Sequence, residues 1–144
     1  MIELYRIHGA AYDVFDTTGT FLFDGRWHTR GTRLVYTAEH ASLAALEVLV
    51  HAESKRFPPK ILTRIHLPED LPIETTSALD FAASQRFGNR WIEENQTPVL
   101  RVPSVTVNEL EFNYLLNPAH PLFRAIKHDK PVAFPFDQRF FRAR

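Results

Sequence analysis

The 144-residue chain contains no cysteine and only five glycines. The absence of cysteine excludes a disulfide framework, zinc-thiolate sites and thiol catalysis. Any nucleophile or base must therefore be an oxygen or an imidazole. The five glycines never form the G-x-G-x-x-G fingerprint, which argues against a dehydrogenase of the Rossmann type.

The chain also has no excess of charge of either sign. Lysine plus arginine and aspartate plus glutamate both number 17, so the basic surface typical of nucleic-acid-binding proteins is not expected. We therefore predict small-molecule or protein partners and no direct contact with nucleic acid. A net charge near zero is poor for the solubility of a lone molecule, which favours a homodimer or a hetero-oligomer.

Long apolar runs are missing as well. No segment approaches eighteen uninterrupted apolar residues, and the N-terminus opens on an alternating stretch, Leu4 to His8, without a basic leader. The expectation is a soluble, cytoplasmic protein with no membrane span. The histidines never take the spacing of a metal-binding cluster such as H-E-x-x-H, so no metal site is predicted.

Short segments rich in β-branched and aromatic residues dominate the chain and predict strands. These segments are residues 4–8, 21–23, 34–36, 61–67, 99–102, 105–107 and 132–134. One helix is predicted from an N-cap at Thr37 to residues 55–56, and another over residues 78–95 with a break at Gly88. Repeats and linkers are absent, so residues 1–144 are predicted to form a single α+β domain with a mixed sheet.

Glu47 is the one aspartate, glutamate, lysine or arginine in the run 41–52, which is otherwise rich in alanine, leucine and valine. Burying a carboxylate without a partner is costly, so either an arginine pairs with it or it faces a pocket. Arg26, in the turn Gly25-Arg26-Trp27, is the candidate partner across that pocket. His51 follows Glu47 by one helical turn and can contact it, which makes His51 a secondary candidate for substrate binding.

Five short motifs follow one another between residues 25 and 121. They are a Gly-Arg-Trp turn at 25–27, Val-Tyr-Thr at 35–37, Ala-Ala-Leu-Glu at 44–47, Val-Pro-Ser at 102–104 and Asn-Pro-Ala-His-Pro at 117–121. In this order and spacing the chain resembles the RES domain, named for an arginine, a glutamate and a serine, which is the toxin half of Xre-RES toxin-antitoxin pairs. The resemblance covers most of the chain and identifies a single RES domain over residues 1–144.

The resemblance implies a fold similar to the ADP-ribosyltransferases of the diphtheria-toxin type. It implies cleavage of the nicotinamide-ribose bond of NAD, which is the substrate and not a cofactor, and it implies an Xre-type DNA-binding antitoxin as partner. Carried over by position, the site residues are Arg26, Tyr36, Glu47 and Ser104. The pattern also matches Asn113 as a substrate-binding residue. It matches the turn at 117–121, where Asn117 and His120 could serve either binding or shape.

These residue types suit the implied chemistry. Nicotinamide leaves as a neutral base while the ribose develops oxocarbenium character, so Glu47 would stabilise positive charge in the transition state and orient a hydroxyl or a water. Arg26 would hold the pyrophosphate or fix Glu47, Tyr36 would stack on the nicotinamide, and Ser104 would hydrogen-bond the ribose or the amide. Hydrolysis and transfer of ADP-ribose to a protein acceptor both need this carboxylate, so the choice between them stays open.

Two other hypotheses remain at this point. A toxin ribonuclease could use Glu47 with His51 or His120 as acid and base and Arg26 on the phosphate, although the neutral net charge argues against an RNA-binding face. A non-catalytic binding module would instead use Glu47 and Arg26 as a structural pair. In that case Glu47→Gln would destabilise the fold, whereas replacing a catalytic glutamate should be neutral or stabilising.

Overall fold

A computed structural model describes residues 1–52 and 58–141 of the chain. Within these ranges the strands are β1 (Ile2–Gly9), β2 (Val35–Ala38), β3 (Lys60–Leu67), β4 (Ile73–Thr75), β5 (Val99–Pro103), β6 (Phe112–Leu116), β7 (Lys127–His128) and β8 (Val132–Ala133). The α-helices are α1 (Thr18–Leu22), α2 (Ala41–His51) and α3 (Phe81–Glu94). Short 3-10 turns cover Val105–Val107, Pro121–Ala125 and Gln138–Phe141.

The strands form one mixed sheet in the order β4-β5-β6-β2-β1-β3-β7, with β8 also paired to β3. The β4 and β5 strands run parallel, and the other pairs are antiparallel. The predicted α+β class with a mixed sheet is therefore confirmed. Sequence alternation explains the strands well where one face is buried and the other is polar, as along β3.

The backbone pairing between β1 and β2 is short. The β1 strand pairs with β3 along its whole length, from Ile2 to Gly9, but it pairs with β2 at a single position, Tyr5 opposite Ala38. Past this point the two halves of the sheet are not joined by a backbone ladder. The carbonyl of Tyr36 instead accepts a hydrogen bond from Nη1 of Arg6 at 3.0 Å, so a side chain satisfies a group that the ladder leaves free.

The two faces of the sheet carry separate cores. One face buries a cluster of aliphatic residues that includes Leu4, Val35 and Ile65. The opposite face carries two clusters. The larger one surrounds the two tryptophans and contains Trp27, Leu34, Trp91, Leu100, Val102 and Leu115. In the smaller one Ala38 packs against Leu43 and Ala44 of α2. Residues from four of the five motifs, Trp27, Tyr36, Ala44 and Val102, lie on this second face.

Helix α2 begins later than predicted. Thr37 is not its N-cap but a residue of β2, and its hydroxyl donates a hydrogen bond to the carbonyl of Tyr114 at 2.8 Å. Pairing of β2 with β6 continues through Ala38, which keeps the backbone at Thr37 extended. Ala41 is the first helical residue. The predicted C-terminal end at residues 55–56 lies outside the described residues.

Helix α3 runs without the break predicted at Gly88. The Asp80 carboxylate caps it by accepting a hydrogen bond from the amide of Ala83 at 2.8 Å, and Asn95 ends it in the left-handed conformation with φ 53°. Gly88 serves packing instead of interruption. A Cβ there would lie 1.7 Å from the carbonyl oxygen of Trp27, so the helix touches the backbone of the Gly-Arg-Trp turn.

Two predicted strands are wrong. Residues 21–23 lie at the end of α1 and its C-cap, and Val105–Val107 form a 3-10 turn. Both segments have the β-branched or aromatic composition of a strand, but neither pairs with a strand in the described part of the chain. The other predicted strands are present with boundaries shifted by one or two residues, and β4, β6 and β7 were not predicted.

Candidate active site

Glu47 lies on α2 and is half-buried. Its Oε1 accepts a hydrogen bond from the Ser104 hydroxyl at 3.0 Å, and its Oε2 accepts one from the Thr106 hydroxyl at 3.2 Å. Among the described residues, no lysine, arginine or histidine forms an ion pair with this carboxylate. The charge is therefore stabilised by neutral donors and stays available to a ligand.

Ser104 follows β5 directly and is 1% exposed. Its amide donates to the carbonyl of Glu111 at 2.9 Å, and its own carbonyl accepts from the amide of Glu109 at 2.7 Å. These bonds close the connection between β5 and β6 and fix the serine backbone. The Ser104 hydroxyl is thereby held against Glu47 of α2.

Tyr36 has a hydroxyl with two protein partners. The amide of Trp27 donates to it at 3.0 Å, and Nδ1 of His28 lies 2.7 Å away. Because Nε2 of His28 lies 2.8 Å from the Phe23 carbonyl, which can only accept, the neutral ring carries its proton on Nε2 and Nδ1 accepts from Tyr36. The phenol is thus oriented by its surroundings.

Burial raises the pKa of the Tyr36 hydroxyl, and the negative charge of Glu47 adds to this effect against the opposing hydrogen bond from Trp27. The phenol is therefore neutral at physiological pH. What remains for Tyr36 is the ring itself, which packs in the cluster around Trp27. A neutral, fixed ring beside a carboxylate is suited to contact a planar aromatic group.

The Gly-Arg-Trp turn leads directly into this network. Gly25 is bridged to His28, and a Cβ on Gly25 would lie 2.5 Å from the His28 ring and 2.9 Å from the Tyr36 hydroxyl. Only glycine fits there without displacing the tyrosine. The turn therefore places Arg26 one residue away from the amide that binds Tyr36.

Arg26 does not pair with Glu47, so the predicted ion pair between them is absent from the structure. Its Nη2 donates to the carbonyl of Leu79 at 2.9 Å, its guanidinium lies 5.8 Å from the Phe81 ring centroid, and its buried Nε has no hydrogen-bond partner among the described residues. The beginning of α3 thus holds the side chain. Within the described part of the chain no carboxylate pairs with this cation, which leaves it able to bind an anionic ligand.

Asn113 lies on β6, where it stands opposite Ala38 on one side and Val102 on the other. Its amide nitrogen donates to the carbonyl of Thr37 at 3.2 Å. Since side chains two residues apart on a strand share a face, Asn113, like Leu115, lies on the face that carries Tyr36. The structure therefore groups Asn113 with the other site residues, while one of its donors is used by the sheet.

The histidines of the motifs have other roles. His51 is the exposed last residue of α2 and is not hydrogen-bonded to Glu47. His120 accepts the amide of Leu122 at 3.0 Å through Nδ1 and caps a 3-10 turn. Asn117, 1% exposed, accepts the amide of Ala119 at 3.0 Å and donates to Asn95 at 2.8 Å. The turn at 117–121 is accordingly built by its own polar side chains.

Three residues near the site were not singled out from the sequence. Thr106 and His28 contact Glu47 and Tyr36, as described above, and Arg6 contacts the Tyr36 carbonyl from β1. Burial lowers the pKa of Arg6 to about 10, against the opposing charge of Asp16, so Arg6 remains a cation at neutral pH. The sequence Ser104-Val105-Thr106 was the one local indication of Thr106 as a site residue, since it places two hydroxyl side chains two residues apart.

The described residues contain no group of three or more histidine, aspartate or glutamate side chains placed to hold a metal ion. No helix in this part of the chain is both long and apolar enough to cross a membrane. Among the described residues, the candidate site therefore contains a carboxylate held by two hydroxyls, a neutral phenol and an arginine without a carboxylate partner.

The fold and the site define a small α+β protein that presents, on one face of a mixed sheet, a glutamate held by two hydroxyls and an arginine that pairs with no described carboxylate. The chain belongs to the RES domain family, which it matches over residues 3–137.

Relatives in several bacteria resemble nearly the whole chain. The Prs ADP-ribosylating toxin of a Sphingobium species is 34% identical over 143 residues, covering 90% of this chain and 88% of that protein. Toxin Res of Yersinia enterocolitica is 34% identical over 149 residues, with coverage of 94% and 97%. Toxin Res of Photorhabdus laumondii is 32% identical over 154 residues, covering 98% of each.

A solved structure shares the fold. It is the crystal structure of the MbcT-MbcA toxin-antitoxin complex of M. tuberculosis, which superposes with a TM-score of 0.72 at 16% identity and covers 92% of this chain and 83% of the other. At this identity the similarity concerns the fold alone.

Proposed function

We propose that this protein is the toxin of a toxin-antitoxin pair and cleaves the nicotinamide-ribose bond of NAD. The observation that carries the proposal is the Glu47 carboxylate, which is half-buried, held by two hydroxyls and not neutralised by a described cation. A relative named as an ADP-ribosylating toxin, 34% identical over most of the chain, supports the same reaction class.

The reaction needs charge stabilisation more than proton transfer. The bond between the nicotinamide nitrogen and ribose C1′ breaks heterolytically, its electron pair leaves with neutral nicotinamide, and C1′ becomes part of an oxocarbenium ion. A negative carboxylate lowers the energy of this ion more than that of the ground state, which already carries its charge on the ring nitrogen. Glu47 supplies this carboxylate, and water or a protein nucleophile then attacks C1′ and loses a proton.

The other site residues would bind the two ends of the substrate. Arg26 has a guanidinium that pairs with no carboxylate of residues 1–52 and 58–141, which suits the pyrophosphate. Tyr36 offers a neutral aromatic ring for the nicotinamide, and Asn113 lies on the same face of the sheet. For the ribonuclease hypothesis, His51 is exposed at the end of α2 and Nδ1 of His120 accepts the Leu122 amide, so neither histidine is held at Glu47 by a hydrogen bond of the described residues.

Nicotinamide release from NAD by the purified protein tests the proposal. Glu47→Gln and Arg26→Ala should each lower the rate by at least about 100-fold, the scale expected for losing a group that acts on the reacting centre or holds the substrate. Glu94→Gln and Arg86→Ala are matched controls, because both residues are exposed on α3 and should retain full activity. Unfolding curves of all four variants verify that they are folded.

The products distinguish hydrolysis from transfer. Equal amounts of nicotinamide and free ADP-ribose indicate a glycohydrolase, whereas nicotinamide in excess, with label from NAD appearing on protein after lysate is added, indicates a transferase. An active Glu47→Gln variant would refute the assigned site. A wild-type protein that is silent with NAD, both alone and with lysate, would refute the reaction.

We further propose an antitoxin of the helical Xre type as the partner that covers this site. The support is the shared fold with a toxin that was solved in complex with an antitoxin, and the near-zero net charge of the chain. Coexpression should yield a complex that co-purifies and no longer releases nicotinamide. Separation of the two proteins at micromolar concentration would contradict this partner, and size-exclusion of the toxin alone tests the predicted homodimer.

A further inference from the structure

We propose that Thr106 is a positioning residue that, together with Ser104, fixes the plane of the Glu47 carboxylate for the reaction. This inference rests on the proposed function, because it gives a catalytic purpose to a contact outside the family motifs. The motifs described above include Ser104 but not Thr106.

Two hydroxyls hold the Glu47 carboxylate, one at each oxygen. Ser104 donates to Oε1 at 3.0 Å and Thr106 donates to Oε2 at 3.2 Å, so each carboxylate oxygen has its own hydroxyl. Each carboxylate oxygen can accept about two hydrogen bonds, and one acceptor position on each therefore remains for a substrate hydroxyl or a water. The two hydroxyls therefore orient the carboxylate and leave acceptor positions on both oxygens for the substrate.

A second hydroxyl matters because the terminal torsion of glutamate is soft. The χ3 angle has broad, roughly two-fold preferences, so one hydrogen bond at Oε1 leaves the carboxylate plane free to rotate. A second donor at Oε2 fixes that plane. Both donors are neutral, so the negative charge of Glu47 remains available to the oxocarbenium ion. An arginine in the same place would offset that negative charge.

The turn that carries both hydroxyls is itself well determined. Val107 packs against the cluster formed by α2 and Ala38, and the amide of Leu110 donates to the Val107 carbonyl at 3.1 Å. The turn ends with two consecutive non-glycine residues in the left-handed region, Asn108 at φ 56° and Glu109 at φ 65°. Such residues persist where the surroundings fix the backbone, and here they close the turn onto Ser104.

The test compares Thr106→Val with Thr106→Ser in the nicotinamide-release assay. Valine keeps the shape and removes the hydroxyl, so we expect kcat to fall about tenfold, the effect of losing one hydrogen bond to a charged group, with KM changed less than about twofold. Serine keeps the hydroxyl and should restore most of kcat. Val105→Thr is the control in the same turn, because Val105 is exposed and contributes no hydroxyl to the site.

A double-mutant cycle supplies a readout that does not depend on activity. Urea unfolding of Thr106→Val, Glu47→Ala and the double variant should show non-additive midpoints, since the hydroxyl stabilises the fold only when the carboxylate is present. Additive midpoints would overturn the contact. An unchanged kcat in Thr106→Val, measured on an active wild type, would overturn the positioning role alone, whereas an inactive wild type refutes the proposed function, and the positioning role with it.

Discussion

Replacing Gly88 with alanine tests the contact that holds the Gly-Arg-Trp turn against α3. The new Cβ would lie 1.7 Å from the carbonyl oxygen of Trp27 and 2.7 Å from its carbonyl carbon. Both are backbone atoms, so no side-chain rotation relieves the overlap. The helix and the turn would have to separate by more than about 1 Å, which disturbs the packing of Trp27 against Phe87.

The magnitude follows from two opposing effects. Alanine is favoured over glycine inside a helix by about 1 kcal/mol. Inserting an extra carbon into a packed interface costs about 1–3 kcal/mol, and a backbone overlap this close belongs at the upper end of that range. We therefore expect Gly88→Ala to lower the free energy of unfolding by about 2 kcal/mol, which corresponds to a fall in Tm of about 4–8 °C for a chain of this length.

Urea unfolding and a thermal scan measure the effect, and Gly19→Ala is the matched control. Gly19 lies in α1 with nothing within 4 Å of an added Cβ, so alanine there should be neutral or slightly stabilising. Because Arg26 precedes Trp27, Gly88→Ala should also slow nicotinamide release, while Gly19→Ala should not. A Gly88→Ala protein as stable as the wild type would show that α3 does not rest on the turn as described.

Tyr36→Phe should reduce the free energy of unfolding by about 1–3 kcal/mol, because it leaves the Trp27 amide and Nδ1 of His28 without their partner; unchanged urea unfolding would contradict the network. The pKa of His8 is lowered by its burial and by the charge of Arg6. The unfolded chain therefore binds this proton more readily than the folded one, and stability should fall as pH drops below about 6.5. His8→Gln should flatten that fall by up to about 1.4 kcal/mol per pH unit, and an equal slope in both proteins would disprove the assignment.

Local patterns were sufficient for the strands whose two faces differ in burial. The alternation in β1 and β3 predicts strands because side chains on a strand point to opposite faces, and this property does not depend on what lies next to the strand. The same reasoning is wrong for Val105–Val107, since β-branched composition also fits a turn and the sequence does not tell whether a neighbouring strand is present. Gly88 was misread for a similar reason, because its partner is the distant carbonyl of Trp27.

The sequence by itself determined the family, through five motifs in order, and it determined that Glu47 needed an explanation, because a lone carboxylate in an apolar helix is costly without partners. Only the tertiary structure decided which residues form hydrogen bonds with this carboxylate. Ser104 and Thr106 lie 57 and 59 residues away along the chain, while the expected Arg26 turns to the start of α3. Local periodicity fixes the face on which a side chain lies, but the order of strands and the closure of the β5 to β6 turn fix which groups meet across that face.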